Sequence, residues 1–296
     1  MYTRRDFGKL ALVAVPSATL FAGNQSKVSG VRIGAITYSY RSLKAEDIIP
    51  AMVATGIGEA EVMSNHVEAL AGAPAIPAGR GPNLEAAAAL EKWRKQTTPN
   101  TFKAVRKKFE DAGISVSLLC FNLNGNVPDD LIEYSFQMAK GLGVNIMSSS
   151  STLAIAKRVA PFADKHKIRW GGHGHDNVTD PNEFATPESF ATIISYGKYM
   201  GVNLDIGHFT AANYDPIAFI RQNHARITNL HLKDRKKNHG PNVPWGAGET
   251  PIKEVLLLLQ KEKYDLLSDI EYEYPGKDEV VTEMKRCLDF CKQALA

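Results

Sequence analysis

The chain has 296 residues and a formal net charge of +3, with 44% apolar and 23% charged residues. This composition is typical of a globular protein, and the near-neutral charge without a basic stripe argues against a nucleic-acid-binding protein. The length exceeds that of a minimal core and suits one large α/β barrel, since such barrels run to ~250 residues as a single domain.

The N-terminal segment has the pattern of a transport signal. The pair Arg4-Arg5 precedes an apolar run from residue 10 to residue 22. This order is typical of the twin-arginine export signal, and the run is too short for a comfortable membrane span. We therefore predict that residues 1–22 direct export to the periplasm and are then removed. A single N-terminal anchor helix is the alternative.

The rest of the chain alternates between β-rich apolar runs and helical patterns. Strands are predicted at residues 31–40, 57–63, 114–122, 144–150, 168–173, 202–208, 227–234 and 266–274. Helices are predicted at residues 45–56, 101–113, 128–143, 153–166, 186–201, 215–223, 251–264 and 277–295. Repeated βα units indicate a parallel sheet, and eight of them indicate a closed barrel. The predicted fold is therefore α/β, a single (β/α)8 TIM barrel over residues 30–296.

One segment interrupts this regular alternation. Residues 64–100, which follow the second predicted strand, are too many for a simple loop. We interpret them as an insertion over the barrel mouth that is helical from residue 84 to residue 96.

Polar side chains stand at the ends of several predicted strands, where the chemistry of a TIM barrel is found. They are Glu61 on the second strand, His173 and His175 on the fifth, Asp205 and His208 on the sixth, His231 and Lys233 on the seventh, and Asp269, Glu271 and Glu273 on the eighth. Because strand side chains alternate, residues two apart on the same strand share a face.

The leading residues on four consecutive strands are His173, Asp205, His231 and Glu271. Each interval fits one βα unit, so the sequence predicts that the four lie at the same height in the barrel. Buried carboxylates and imidazoles would be costly without a cation, and one divalent ion (Mn²⁺, Co²⁺, Zn²⁺ or Mg²⁺) would neutralise them. Singly, each has another interpretation: a hydrogen-bonded histidine, a helix cap at Asp205, or acids on a solvated edge.

Four stretches, NLDIGH, HLKD, WGAGETPI and DIEYEY, occur in this order and together resemble the xylose isomerase-like TIM barrels. That superfamily includes sugar isomerases, ketose 3-epimerases, inosose dehydratases, sugar lyases and a DNA-repair endonuclease. The resemblance extends from about residue 32 to residue 295. It implies the barrel fold and a metal-dependent activity, and it is poorly specific for the reaction.

The resemblance implies a metal-ligand set with one departure. Ketose 3-epimerases of this superfamily hold Mn²⁺ or a similar ion through Glu, Asp, His and Glu. Asp205, His231 and Glu271 match the last three, but the expected first Glu is missing. His173 or His175 is the substitute, and His173 is favoured because it comes first at the strand end. This departure favours elimination or hydrolysis with a histidine base over a symmetric two-carboxylate epimerisation.

The resemblance also suggests roles for the neighbouring residues. Glu271 and His175 would move protons, with Glu61 as a further acid–base candidate. Lys233 would polarise a carbonyl or stabilise an enediolate, and His208 would contact substrate hydroxyls.

Trp245, in the glycine-flanked WGAGE loop, either stacks on a sugar face or anchors the loop on the barrel. The predicted function is a metal-dependent enzyme that acts on a sugar or keto-sugar by proton abstraction next to a carbonyl: an isomerase, epimerase or lyase. The alternatives are an exported carbohydrate-binding barrel without turnover and a metal-dependent hydrolase or nuclease. The expected partner is a small carbohydrate, with no nucleic acid and no membrane after signal removal. The sugar, the metal and homo-oligomerisation are left open.

Overall fold

The computed structural model describes residues 27–76 and 83–296. The predicted export signal at residues 1–22 lies outside them. Eight parallel strands follow one another in chain order, and the first pairs with the last, so the sheet closes on itself. A two-residue strand, Lys27–Val28, adds an antiparallel extension to the first. The predicted (β/α)8 TIM barrel is confirmed.

The barrel strands are β1 (Val31–Ile36), β2 (Glu59–Met63), β3 (Ser115–Cys120), β4 (Ile146–Ser149), β5 (Arg169–His173), β6 (Met200–Asp205), β7 (Ile227–Leu232) and β8 (Ser268–Ile270). The helices are α1 (Ala45–Thr55), α2 (Ser64–Leu70), α3 (Leu84–Gln96), α4 (Pro99–Asp111), α5 (Asp129–Leu142), α6 (Leu153–His166), α7 (Pro187–Ser195), α8 (Ile206–Ala211), α9 (Pro216–Asn223), α10 (Ile252–Glu262) and α11 (Val280–Leu295). Two short 3₁₀ helices cover Thr37–Tyr40 and His224–Arg226.

Strands β6 and β7 show how the sequence places apolar side chains on the outside of the barrel and polar side chains in its interior. All six residues of each strand are buried, as expected for a parallel strand covered on both faces. Their side chains alternate, so Leu204 and Leu230 face the surrounding helices while Asp205 and His231 face the barrel interior. The polar interior residues near the strand ends therefore form the floor of a site.

Local signals fix where the helices begin and end. Helix α7 starts with a capping box between Thr186 and Ser189, with Pro187 at its first position. Helix α1 stops at Gly56, whose φ of 87° is left-handed and accessible mainly to glycine. These ends agree with the turn residues that the sequence provides.

Several predicted strands are shorter in the structure. The first was expected to reach residue 40, but Thr37–Tyr40 is a 3₁₀ helix because side chains replace the strand ladder: Ser39 Oγ donates to Ile270 O and accepts from Tyr272 N. The eighth strand ends at Ile270. The sixth ends at Asp205, where helix α8 begins directly, in place of the predicted turn. The helix predicted to reach residue 201 ends at Ser195.

The insertion after β2 contains the predicted helix, Leu84–Gln96, at the predicted bounds. Glu68, which is buried, holds this helix through two hydrogen bonds from Arg94, at 2.7 and 3.0 Å, and also accepts from Tyr134 at 2.9 Å. The position of the segment over the mouth stays a prediction. Within residues 27–76 and 83–296, no helix has the length and apolar character needed to cross a bilayer.

Candidate metal centre and active site

A cavity of about 310 Å³ opens at the carboxyl ends of the strands. Its lining comes from both halves of the barrel: Ile36, Tyr38, Met63, Cys120, Asn122, Ser150, His173, His175, His208, His231, Lys233, Glu271 and Glu273. This is the face at which TIM barrels place their active sites. Six of the residues to which the sequence analysis assigned a role line this cavity: His173, His175, His208, His231, Lys233 and Glu271.

Four buried side chains converge at the base of this cavity. One donor atom from each of His173, Asp205, His231 and Glu271 lies within 4.8 Å of the others. The strand register brings them there in a staggered way. Asp205 and His231 are paired partners, whereas His173 pairs with Asn203. His231 in turn pairs with Asp269, two residues before Glu271. The expected equal height is therefore wrong for both His173 and Glu271, and the stagger of a closed barrel explains the convergence.

His173 is held as a neutral imidazole with a defined tautomer. Its Nδ1 donates to the Oδ1 atom of Asn203, which leaves Nε2 with a free lone pair. Burial lowers the pKa of His173 well below the usual range, and the nearby His231 lowers it further. A neutral imidazole with one nitrogen already occupied by a hydrogen bond is the form in which histidine binds a metal.

Asp205 presents one carboxylate oxygen to the backbone and the other to the cluster. Its Oδ1 accepts from the backbone N–H of His208 at 2.8 Å and so caps helix α8. Within the part of the chain that the structure describes, its Oδ2 is buried without a hydrogen-bond partner. The Nζ of Lys233 lies 3.1 Å away, close enough for an ion pair but poorly aligned for a hydrogen bond. Such an orphaned buried oxygen fits a position next to a cation.

His231 lies between two carboxylates. Its Nδ1 is 2.9 Å from Glu271 Oε2, and its Nε2 is 2.6 Å from Glu61 Oε2. Burial alone would lower the pKa of His231, but the charges of Glu61 and Glu271 outweigh it and raise that pKa well above the usual value. The cluster member Glu271 thus contacts one ring nitrogen, and Glu61, outside the cluster, contacts the other.

Lys233 is the cation at the centre of the acidic groups. Its Nζ lies 3.1 Å from Asp205 Oδ2 and 3.1 Å from Glu271 Oε2, and it forms a short ion pair with Glu273. Burial opposes the charged form, but these three carboxylates raise the pKa of Lys233 above its ordinary value. Correspondingly, Lys233 and His231 hold the pKa of Glu271 well below its usual value against the effect of burial. Lys233 is therefore a protonated donor that lines the cavity.

A second group of possible ligand atoms, from Glu61, His231 and Asp269, lies deeper in the barrel. Internal hydrogen bonds already occupy most of these atoms: Glu61 accepts from Ser148, Asn229 and His231, and Asp269 accepts from Asn229 at 3.1 Å. Burial and the charge of Glu61 raise the pKa of Asp269 well above its usual value, which disfavours the carboxylate form that a metal would bind. The deeper group is therefore a hydrogen-bonded layer and a poor match for a metal.

Two histidines at the rim are oriented by carboxylates. His175 Nδ1 lies 2.7 Å from Glu183 Oε1, which directs its Nε2 toward the cavity and Ser150. His208 Nδ1 lies 3.1 Å from Asp176 Oδ1. Burial and the charge of Lys233 lower the pKa of His208, so this imidazole is neutral.

The structure separates the residues predicted for the site into two sets. His173, His175, His208, His231, Lys233 and Glu271 line the cavity. Asp205 is not a lining residue, but its carboxylate belongs to the buried four-residue cluster at the base of the cavity.

Two of the predicted residues lie elsewhere. Glu61 is fully buried below His231 and does not line the cavity, so its position does not support the acid–base role. Trp245 packs edge-on against Phe290, with ring centroids 5.8 Å apart, and lines a different cleft beside helix α11. The loop-anchor interpretation of Trp245 fits this position, because Asp234 accepts from Gly246 N and Gly248 N and fixes the loop there.

Sequence reasoning missed several residues that shape the site. They are the cavity-lining residues Tyr38, Cys120, Asn122 and Ser150, and the orienting residues Asn203, Glu183 and Asp176. Glu273, which the sequence analysis placed at a strand end without assigning it a role, also lines the cavity. One signal could have identified Asn203, which stands two residues before Asp205 on the same strand and therefore shares its face.

Comparisons with known proteins agree with this architecture. The family model described as "Xylose isomerase-like TIM barrel" matches residues 154–293. No curated protein matches the chain.

Three solved structures are among those similar to this fold. A sugar phosphate isomerase/epimerase from Parabacteroides distasonis has 18% identity and a TM-score of 0.60, covering 95% of this chain and 96% of its own. A probable 3-DHS dehydratase, AsbF from Bacillus anthracis, has 14% identity and a TM-score of 0.63, covering 86% and 98%. The IOLI protein with a binding zinc atom has 11% identity and a TM-score of 0.64, covering 89% and 97%.

At these identities the solved structures show the fold alone. Together with the family model they confirm the resemblance to xylose isomerase-like TIM barrels that four motifs predicted. The buried cluster of His173, Asp205, His231 and Glu271 could hold a metal ion, since two imidazoles and two carboxylates are a donor set that suits several divalent ions.

Proposed function

We propose that this protein is a divalent-metal-dependent enzyme that removes a proton next to the carbonyl of a sugar or keto-sugar, as an isomerase, epimerase or lyase. The observation that carries the proposal is the convergence of four buried donor atoms within 4.8 Å, among them a carboxylate oxygen of Asp205 without a hydrogen-bond partner. His173, Asp205, His231 and Glu271 would hold the ion. Mn²⁺, Co²⁺, Zn²⁺ and Mg²⁺ are the candidates, and a zinc atom is bound in one similar fold.

The reaction class is supported by the chemistry that such a site offers. A bound ion supplies Lewis-acid polarisation of a carbonyl oxygen and of its neighbouring hydroxyl, which makes the intervening C–H more acidic. The similar solved structures include a sugar phosphate isomerase/epimerase and a probable dehydratase, both consistent with proton removal beside a carbonyl.

His175 is the proposed base. Because the carboxylate of Glu183 can only accept a hydrogen bond, the proton of a neutral His175 sits on Nδ1 and the lone pair of Nε2 faces the cavity. A base must come within hydrogen-bond reach of the proton it removes, and His175 is the rim histidine with this orientation. Glu271, which lines the same cavity, is the second candidate for proton transfer.

Lys233 and His208 would bind the substrate oxygens. The ammonium of Lys233 is fixed among three carboxylates and can donate to a developing negative oxygen in a water-poor site. His208 lies next to it, with Nε2 at 3.3 Å from Lys233 Nζ, and its orientation is fixed by Asp176. The two groups thus form a polar wall beside His175, whose ring centroid lies 5.3 Å from that of His208.

The proposal is tested by proton NMR in D₂O, with the Zn²⁺-loaded protein and a panel of keto-sugars. We expect the signal of the C–H next to the carbonyl to disappear in the presence of the protein and to persist after chelation of the metal. The His175→Asn variant should retain the metal and lose the exchange. If the metal-loaded protein exchanges no proton on any sugar that it binds, the proposal fails and the carbohydrate-binding alternative is supported.

We also propose export to the periplasm by the twin-arginine route, on the basis of Arg4-Arg5 and the apolar run that follows. Replacing both arginines by lysine should retain the protein in the cytoplasm. An unchanged periplasmic yield of this variant would contradict the proposal.

A further inference from the structure

We infer that Glu61 is a positioning residue, which orients His231 and directs its Nδ1 atom toward the metal centre. The inference rests on the proposed metal-dependent function, and it assigns to Glu61 a role other than proton transfer to the substrate. Glu61 is completely buried in strand β2, which does not pair with strand β7, the strand that carries His231.

The two nitrogens of His231 face different partners. Nε2 lies 2.6 Å from Glu61 Oε2, and Nδ1 lies 2.9 Å from Glu271, which is a member of the four-residue cluster. The hydrogen bond with Glu61 occupies Nε2 and fixes the orientation of the ring. Nδ1 is therefore the nitrogen that faces the cluster and is placed to bind a metal.

Glu61 is itself held rigidly. Its Oε1 accepts a short hydrogen bond from Ser148 Oγ on strand β4, and its Oε2 accepts from Asn229 Nδ2 on strand β7 at 2.9 Å. The carboxylate of Glu61 is thus fixed by side chains from two other strands, β4 and β7, and has no freedom to turn toward a substrate. Partners of this kind beyond the ligands fix the tautomer and the ring orientation of metal-binding histidines and raise their basicity.

The position of Glu61 excludes direct contact with a substrate of ordinary size. The side chain is fully buried and hydrogen-bonded to His231, and Glu61 contributes nothing to the cavity lining. A residue that acts through His231 should therefore change metal affinity first. Its effect on turnover should follow from metal occupancy.

The test compares metal affinity in three variants by Mn²⁺ titration calorimetry at constant pH. Glu61→Leu removes the acceptor and should weaken Mn²⁺ binding by about 10- to 100-fold, the range for partners of metal ligands. Glu61→Gln can keep the hydrogen bonds, because its amide oxygen can accept from His231 and Asn229 while its NH₂ donates to Ser148. This variant loses only the charge, and we expect a smaller weakening of about threefold to tenfold.

Asp269→Asn is the matched control. Asp269 is as deeply buried as Glu61 and shares the partner Asn229, but no hydrogen bond joins it to His231. Its substitution should change the melting temperature by a similar amount and leave the Mn²⁺ affinity unchanged. The absorption spectrum of the Co²⁺-loaded protein provides a second readout, and it should change in Glu61→Leu and stay constant in Asp269→Asn.

The outcomes separate this inference from the proposed function. If the wild-type protein binds no divalent metal, the proposed function fails. If the wild type binds Mn²⁺ and a folded Glu61→Leu binds it equally well, the positioning role is overturned. Should Glu61→Leu not fold, Glu61→Gln decides: weakened binding with an unchanged melting temperature supports the role, and unchanged binding overturns it. If Asp269→Asn weakens Mn²⁺ binding as much as Glu61→Leu does, any change in the buried hydrogen-bonded layer lowers the affinity. That result would also overturn the positioning role of Glu61.

Discussion

The two halves of the barrel contribute different kinds of residue to the same cavity. Strands β5 to β8 carry all four proposed metal ligands together with Lys233, and this half coincides with the segment matched by the family model, residues 154–293. Strands β1 to β4 and the turns after them contribute Tyr38, Met63, Cys120 and Asn122, which are apolar or uncharged. The charged side chains are therefore concentrated in the second half of the barrel. The first half supplies uncharged lining residues, Tyr38, Met63, Cys120 and Asn122, which we call the first-half wall.

This difference suggests that substitutions can change metal binding and proton transfer separately from substrate affinity. Substitutions in the second half should alter metal content or proton transfer, because its charged groups contact one another directly. Substitutions in the first-half wall should alter substrate affinity, because its residues line the cavity but do not belong to the four-residue cluster. Glu61 is the exception, as a first-half residue that contacts the cluster from below.

The largest effect is expected for Asp205→Asn, which keeps a hydrogen-bond acceptor for the cap of helix α8 but removes the charge. We expect loss of most bound metal and a fall in activity of about 10³-fold or more, given the several kcal/mol that a catalytic metal supplies. Elemental analysis checks the metal. Asp215→Asn is the control, because Asp215 also caps a helix, α9, through Ile217 N and Ala218 N. Full metal content in Asp205→Asn would show that the ligand assignment is wrong.

The next largest effect is expected for His175→Asn, which removes the proposed base but none of the proposed ligands. Turnover should fall by about 10²-fold or more, the usual contribution of a general base, while the metal content stays at the wild-type level. Glu183→Gln should have a smaller effect of the same kind, because it leaves the imidazole in place without its carboxylate partner. Loss of metal in His175→Asn would instead favour His175 as the strand-β5 ligand.

A moderate effect is expected for His208→Ala. Substrate affinity and turnover should fall by roughly tenfold, which corresponds to the loss of one good hydrogen bond, and the metal should remain. The backbone N–H of residue 208, which donates to Asp205, is unaffected by this substitution. If the variant loses its metal as completely as Asp205→Asn, the proposed division between ligand and substrate contact is incorrect.

A smaller effect is expected in the first-half wall. Tyr38→Phe should raise KM by about threefold to tenfold through loss of a hydroxyl contact, with little change in kcat or metal content. Tyr40→Phe is the matched control, because the Tyr40 hydroxyl donates to Thr55 in the protein interior, outside the cavity lining. A change in metal affinity in Tyr38→Phe would contradict the separation of the two halves.

The smallest effect on activity is expected for Asp176→Asn, where stability should change with pH. The hydrogen bond with His208 and the charge of Arg235 lower the pKa of Asp176. A carboxyl whose folded pKa is lowered stabilises the protein above its unfolded value of about 3.9, and this contribution is lost as the pH falls through the folded value.

The wild type should therefore exceed Asp176→Asn in the free energy of unfolding by roughly 1–3 kcal/mol at pH 7, and the difference should narrow below about pH 4. Urea unfolding at pH 7 and pH 3 measures it, with Asp180→Asn in the same loop as the control. If the free energies of unfolding of the wild type and Asp176→Asn differ equally at both pH values, the charge of Asp176 beside Arg235 is not the cause of the difference.

The amino-acid sequence by itself determined the barrel, the strands that carry polar ends and the cluster candidates Asp205, His231 and Glu271. It left the strand-β5 member open between His173 and His175. These follow from periodicity, turn residues and four motifs, all of which are local in the chain. The helix at Leu84–Gln96 could be predicted for the same reason. Strand ends were less accurate, because side chains such as Ser39 replace ladder hydrogen bonds only once distant strands are in place.

The tertiary structure alone decided how deep each polar side chain lies in the barrel and whether it faces the cavity. Strand alternation shows which face a residue occupies, but the height of one strand against the next depends on the stagger of the closed barrel. For this reason, the sequence did not show that Glu61 lies beneath His231 or that Trp245 packs on Phe290, away from the cavity. The pairing of His175 with Glu183, eight residues further along a loop, likewise depends on a loop path that no periodic pattern encodes.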